Sequence, residues 1–81
     1  MNSKQMDYLI ELSKTLNFNR AAENLFISQP ALSYQIKVIE EEVGFAIFER
    51  VGKSVHLTTP AGQQFYQQIT HIKQELQSAI E

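Results

Sequence analysis

Apolar positions recur along this chain at two periods, and the change from one to the other divides it. Met6, Leu9, Ile10 and Leu16, with the small Ser13 among them, fall at helical spacing and predict a first helix over about 3–16, with Ser3 as its N-cap. Asn17-Phe18-Asn19 interrupts the pattern, and Asn19 is placed to cap a short second helix over about 20–26, facing inward through Ala22 and Leu25. Ile27-Ser28 is a tight connection. Ser28 can cap a third helix that begins at Gln29, and Pro30 then falls in the first turn, where its missing N–H costs little. Leu32, Ile36, Ile39 and Val43 form the buried stripe of that helix, and Gly44 ends it in a left-handed conformation.

After Gly44 the period changes. Phe45-Ala46-Ile47-Phe48 is apolar, Val51-Gly52-Lys53-Ser54 reads as a turn, and Val55-His56-Leu57 alternates as a short strand does. A small β-hairpin is expected here, a loop with two apolar anchors being the alternative. Thr59 followed by Pro60 is a helix start, a hydroxyl cap and then proline at the first helical position. From there to Glu81, Phe65, Ile69, Ile72, Leu76 and Ala79 are spaced four, three, four and three apart, the seam of a coiled coil. About 22 residues at ~1.5 Å each make a rod of about 33 Å, long for so small a domain, so a partner helix explains the stripe better than the chain's own core does.

Composition narrows the function. Eighty-one residues allow one small domain, and 43% hydrophobic with 20% charged residues is a globular balance. The absence of cysteine removes disulfides, thiolate catalysis and Cys-based zinc sites. Two histidines, His56 and His71, are too few to build a metal site unless carboxylates join them. There is no run of 18 apolar residues and no signal-peptide core near Met1, so a cytoplasmic protein is expected. Gly52-Lys53-Ser54 resembles the tail of a phosphate-binding loop, but the earlier glycine that motif needs falls on Ile47. Glu40-Glu41-Glu42 points three ways from a helix and reads as solvated surface rather than paired catalytic carboxylates. No Ser/His/Asp arrangement is readable. No enzyme and no cofactor are expected.

Net charge is −2 and the pI near 5.6, which taken alone argues against nucleic acid. The distribution is uneven. No acid lies between Glu23 and Glu40, or between Glu49 and Glu75, whereas Lys37, Arg50, Lys53 and Lys73 do. One surface is then locally positive, although an ordinary mixed-charge surface fits the same pattern. The third helix is more specific. Opposite its apolar stripe, Gln29, Pro30, Ser33, Tyr34 and Lys37 line one side. Gln29 suits an adenine edge, Pro30 a thymine methyl, the two hydroxyls phosphate or base, and Lys37 a phosphate one turn on. A short helix, a tight turn and a second helix with an outward polar face make a helix-turn-helix, and a following hairpin tipped by Lys53 makes a wing. A polar helix face turned simply to water is the competing reading.

Arg20-Ala21-Ala22-Glu23-Asn24-Leu25, Ser28-Gln29-Pro30-Ala31-Leu32-Ser33 and Gln35-Ile36-Lys37 closely resemble the N-terminal domain of LysR-type transcriptional regulators. Phe48-Glu49-Arg50, Leu57-Thr58 and Ala61-Gly62 extend the resemblance over nearly the whole chain. It implies a mainly α winged helix-turn-helix over 1–58, three helices plus a β-hairpin wing, and a linker helix over 59–81. In that family the linker helix forms a homodimer, here through Phe65, Ile69, Ile72, Leu76 and Ala79. Residues matching Gln29, Pro30, Ser33 and Tyr34 face double-stranded DNA, the one matching Lys53 sits on the wing, and operators are interrupted palindromes. Full-length members carry a further domain that senses a small effector, so an excised DNA-binding fragment is expected, a natural stand-alone domain being the alternative.

Three features depart from the family pattern: Tyr34 stands where Arg is frequent, Val38 and His56 occupy often basic places, and the Leu57–Gly62 junction is one residue longer than usual. The first two imply weaker phosphate binding, and the third alters the aim of the wing. Together with the acidic pI they leave a second class open, a helix-turn-helix scaffold that binds protein without reading DNA. A metal or redox sensor is the third, disfavoured by the lack of cysteine.

Overall fold

The computed structural model describes residues 1–52, 54–57 and 60–80; Lys53, Thr58, Thr59 and Glu81 lie outside, and with them the wing-tip, cap and helix-end roles expected there. The described elements are α1 (Ser3–Thr15), α2 (Phe18–Leu25), α3 (Gln29–Val43), β1 (Phe48–Val51), β2 (Ser54–Leu57) and α4 (Pro60–Ile80). The expected helices and hairpin are all present, but several ends differ.

Asn2, not Ser3, caps α1. Its side chain accepts from Gln5 N at 2.8 Å while Gln5 Oε1 accepts from Asn2 N at 3.0 Å, a reciprocal capping box. Ser3 would place Met6 at the answering position, and Met6 accepts no such bond. Likewise Asn17 rather than Asn19 caps α2, accepting from Arg20 N at 2.9 Å. Starting two residues early brings Phe18 against the core. Leu16 leaves the predicted stripe of α1: it is the left-handed C-cap (φ 51°) and is exposed, while Leu12 is fully buried in its place. Ser13 is buried as expected, its hydroxyl donating to Leu9 O at 2.7 Å.

The core gathers Leu9 and Leu12 of α1, Ala21 and Ala22 of α2, and Leu32, Ile36 and Ile39 of α3. Alanines on α2 let it approach its neighbours closely, and the predicted Leu25 packs at the edge, half-buried. Val43 is half-buried at the far end of α3, where Gly44 (φ +85°) caps the helix as predicted, its N–H donating to Glu40 O at 2.9 Å. Ile47, Phe48, Val55 and Ile69 close the core from the wing and α4. Removing a fully buried leucine such as Leu32 by substitution with alanine would cost about 2–5 kcal/mol.

The hairpin starts later than the apolar run suggests: β1 begins at Phe48, and Phe48↔Leu57, Glu49↔His56, Arg50↔Val55 and Val51↔Ser54 pair antiparallel. Gly52 at φ +62° supplies the left-handed residue that a two-residue connection needs. The delay has a cause in the acidic run. Glu40 is not solvated surface: its Oε2 accepts from Ile47 N at 2.6 Å and from Phe48 N at 3.1 Å, holding the start of β1 against α3. Glu42 is also engaged, accepting from the N-terminal ammonium of Met1 at 2.6 Å. Among the described residues, no helix is long and apolar enough to cross a membrane.

Candidate nucleic-acid interface

The turn between α2 and α3 is built by capping on both sides. Phe26 ends α2 in the left-handed region (φ 58°), with its N–H donating back to Ala22 O and Glu23 O. Ile27 N donates to Ala22 O at 3.1 Å, and Ser28 Oγ then accepts from Ala31 N at 3.2 Å to open α3. Three residues therefore reverse the chain, and the N-terminus of α3 projects outward with no acid in its first turn. Pro30 has no N–H and those of Ala31 and Leu32 are taken by Ser28, so the helix dipole, rather than a set of free donors, gives that end its partial positive charge.

Gln29, Pro30, Ser33, Tyr34 and Lys37 line one groove, as their spacing predicts. Pro30 and Lys37 are exposed, Tyr34 is 63% exposed, and Gln29 and Ser33 are half-buried against the wing. Lys53, the sixth expected contact, lies outside the described residues. The groove has a feature that helix spacing alone does not reveal: Glu40 also lines it, near Lys37, with its carboxylate engaged by the backbone of Ile47 and Phe48.

Arg50 completes the wall. Phe48 and Arg50 share one face of β1 because strand side chains alternate, and the buried Phe48 turns that face towards α3. The Arg50 guanidinium lies 4.3 Å from the centroid of the Phe18 ring and donates from Nη2 to Ser33 Oγ at 2.8 Å. One side chain of the wing thus contacts both helices of the helix-turn-helix. On its other side, Asn17 and Asn19 at the start of α2 and Ser54 of β2 line an adjoining recess with Gln29. Arg50 is legible in the sequence only as a basic residue; its place here follows from strand alternation out of the buried Phe48.

Several acids are engaged away from the groove. Asp7 pairs with the Lys73 ammonium, Glu11 accepts from the Asn24 amide at 2.8 Å, and His71 and Glu75 meet at 3.0 Å on the exposed side of α4. Among the described residues, Lys37 and Arg50 are the cations that line the groove at α3, with Glu40 the one acid, although the whole chain is acidic.

The stripe on α4 divides in two. Ile69 is buried in the chain's own core, and Phe65 meets Phe45 edge to face, with centroids 5.8 Å apart. Beyond them the stripe turns outward while the other side of the helix stays against α1 through Lys73 and Asp7: Ile72 is 48% and Leu76 46% exposed, with Ala79 and Ile80 also open. Core packing takes the first two seam positions, and the seam positions that remain exposed are Ile72, Leu76 and Ala79.

Capped helix, three-residue turn, recognition-type helix and hairpin wing together define a winged helix-turn-helix domain. The family model for bacterial regulatory helix-turn-helix proteins of the lysR family matches residues 3–63. The chain belongs to the LysR family. It is 41% identical over 81 residues to the HTH-type transcriptional regulator BudR of Klebsiella aerogenes, covering 100% of this chain and 56% of that one. It is 42% identical over 64 residues to the regulator CysB of Haemophilus influenzae, covering 78% and 20%. The relatives are transcriptional regulators rather than enzymes, and the chain spans between about a fifth and just over half of their length.

Solved structures agree. The DNA-binding domain of BenM, in complex with catB site 1 DNA, superposes with a TM-score of 0.91 at 34% identity, covering 99% of this chain and 85% of that one. DarR of Vibrio fischeri, in complex with DNA, gives 0.90 at 31% identity, covering 99% and 27%.

Proposed function

We propose that this chain is the DNA-reading part of a homodimeric bacterial transcriptional regulator, binding double-stranded DNA sequence-specifically. The observation that carries the reading is the α3 groove, where Gln29, Pro30, Ser33, Tyr34 and Lys37 line one surface beside Arg50, near the positive end of the helix dipole. The DNA complexes of BenM and DarR, so similar in fold, support it. Gln29 and Pro30 meet base edges in the major groove, the Ser33 and Tyr34 hydroxyls reach phosphate or base, Lys37 meets phosphate, and Lys53 on the wing meets the adjacent backbone or minor groove. Residues 1–58 do the reading, and residues 59–81 form the linker helix.

The linker helix pairs with its twin through the outer part of the seam, beyond Phe65 and Ile69. The exposed Ile72, Leu76 and Ala79 supply the contact, and Phe65 and Ile69 fix the helix to its own domain. Two half-sites then make an interrupted palindrome. The regulator works in the cytoplasm, and any small effector acts through a domain outside this chain.

The test is selection of purified protein against pooled random duplexes at two salt concentrations. An interrupted palindrome, retained at low salt and released steeply as salt rises, is the expected result, because phosphate contacts release counterions. No retained duplex at low salt would overturn the reading and turn attention to protein partners of α4.

A further inference from the structure

We infer that Arg50 sets the hydrogen-bond polarity of Ser33, so that the recognition helix reads an acceptor, not a donor, at the base edge Ser33 meets. The inference rests on the DNA-reading role proposed above. A serine hydroxyl has one proton and two lone pairs, and a free one rotates to suit either kind of partner. Serine and threonine inside helices commonly turn that proton back to the carbonyl four residues earlier. Ser13, Thr15 and Thr70 do so, to Leu9 O, Glu11 O and Tyr66 O.

Ser33 is arranged differently. It accepts from Arg50 Nη2 at 2.8 Å, and among the described residues no carbonyl takes its proton. The guanidinium fills one lone pair, and its positive charge opposes a second N–H approaching the same oxygen. What remains to face a partner is the proton. Phe18 keeps the arrangement in place, its ring 4.3 Å beneath the guanidinium. Ser33 lies one turn after Gln29 on the same groove face, which puts its hydroxyl within reach of the base edges that Gln29 is proposed to read. In the major groove the acceptors are guanine O6 and N7, adenine N7 and thymine O4, while cytosine presents only its N4 amino donor. Arg50 thus acts as a positioning residue, and the step it shapes is rejection of cytosine.

The experiment uses the duplex recovered by selection and measures competition by copies changed at one base pair per half-site. Ser33→Ala identifies the position that responds to the hydroxyl. There, wild-type protein should bind a cytosine duplex about three- to tenfold more weakly, the size of one hydrogen bond. Where the selected base is a purine read through N7, its 7-deaza analogue should lose a similar factor. Arg50→Met removes donor and charge, and should weaken binding to all duplexes while reducing the cytosine penalty to within about twofold. Arg50→Lys, which keeps a donor and a charge, should restore the penalty.

A cytosine penalty unchanged in Arg50→Met would overturn the inference and leave Arg50 a phosphate contact. So would a Ser33→Ala variant whose base preferences all match the wild type. If Arg50→Met fails to fold, the wild-type comparison of cytosine and acceptor bases still decides: no discrimination there refutes the polarity. Failure of wild-type protein to select any duplex is a different result and refutes the functional reading itself.

Discussion

Glu40→Ala should loosen the wing from the recognition helix, and the size of the effect follows from two hydrogen bonds. The carboxylate of Glu40 accepts from Ile47 N at 2.6 Å and Phe48 N at 3.1 Å, both in a partly buried setting. Bonds to a charged acceptor are worth about 1.5–3 kcal/mol each, but water reaches this site and replaces part of that, so a total near 2 kcal/mol is expected. Glu40→Gln keeps one neutral acceptor and should cost about 1 kcal/mol. In a domain of this size 1 kcal/mol moves the melting temperature by about 4–8 °C, so the alanine variant should melt about 8–16 °C lower and the glutamine variant about half as far. Thermal unfolding followed by far-ultraviolet circular dichroism measures this directly. DNA binding supplies a second sign. Loss of an acid beside Lys37 favours phosphate, whereas a wing no longer held at Ile47 and Phe48 misplaces Arg50. Affinity for scrambled duplex should therefore hold or rise while preference for the selected site falls. An alanine variant that melts within about 2 °C of wild type would refute the latch, because a loss of about 2 kcal/mol cannot produce so small a shift.

Gln29→Ala should relax specificity at one position per half-site and cost about 1–3 kcal/mol there, read by competition with singly substituted duplexes; equal loss on selected and scrambled DNA would remove Gln29 from base readout. Lys53→Ala should weaken binding to every sequence alike and lower the slope of log K against log salt by about 1 for each phosphate no longer neutralised, an unchanged slope placing the side chain off the DNA. Ile72→Asp should stay folded, since Ile72 is already 48% exposed, yet sediment as a monomer. Ile69→Asp puts a charge into the core instead and should destabilise the fold by about 3 kcal/mol or more, seen as an absent or much lower melting transition.

What the sequence discloses and what it hides divide along the range of the interactions. Pro30 in the first turn and Gly44 at the end bracket α3, and a single helical period assigns both Leu32, Ile36 and Ile39 to the core and Gln29, Ser33 and Lys37 to the groove. Those are local signals, and they sufficed for the candidate face. Cap choice was less determined because Asn2 and Ser3, or Asn17 and Asn19, are chemically equivalent caps; the answering Gln5 and the burial of Phe18 decide between them. Contacts across the fold were not legible. Glu40 sits in a run of three like residues and only the folded loop singles it out. Arg50 meets Ser33 and Phe18 from another element, so no spacing along one helix reports it. The α4 stripe shows the same limit: its period is continuous, but its first part is used by the chain's own Phe45 and core, which periodicity alone does not disclose.

The central claim is that the α3 face reads base sequence rather than merely attracting phosphate. Its most direct measurement is the ratio of affinities for the selected palindrome and for a scrambled duplex of the same composition, at one physiological salt concentration. A dimer reading two half-sites should prefer the palindrome by about a thousandfold or more. A ratio near one would contradict it.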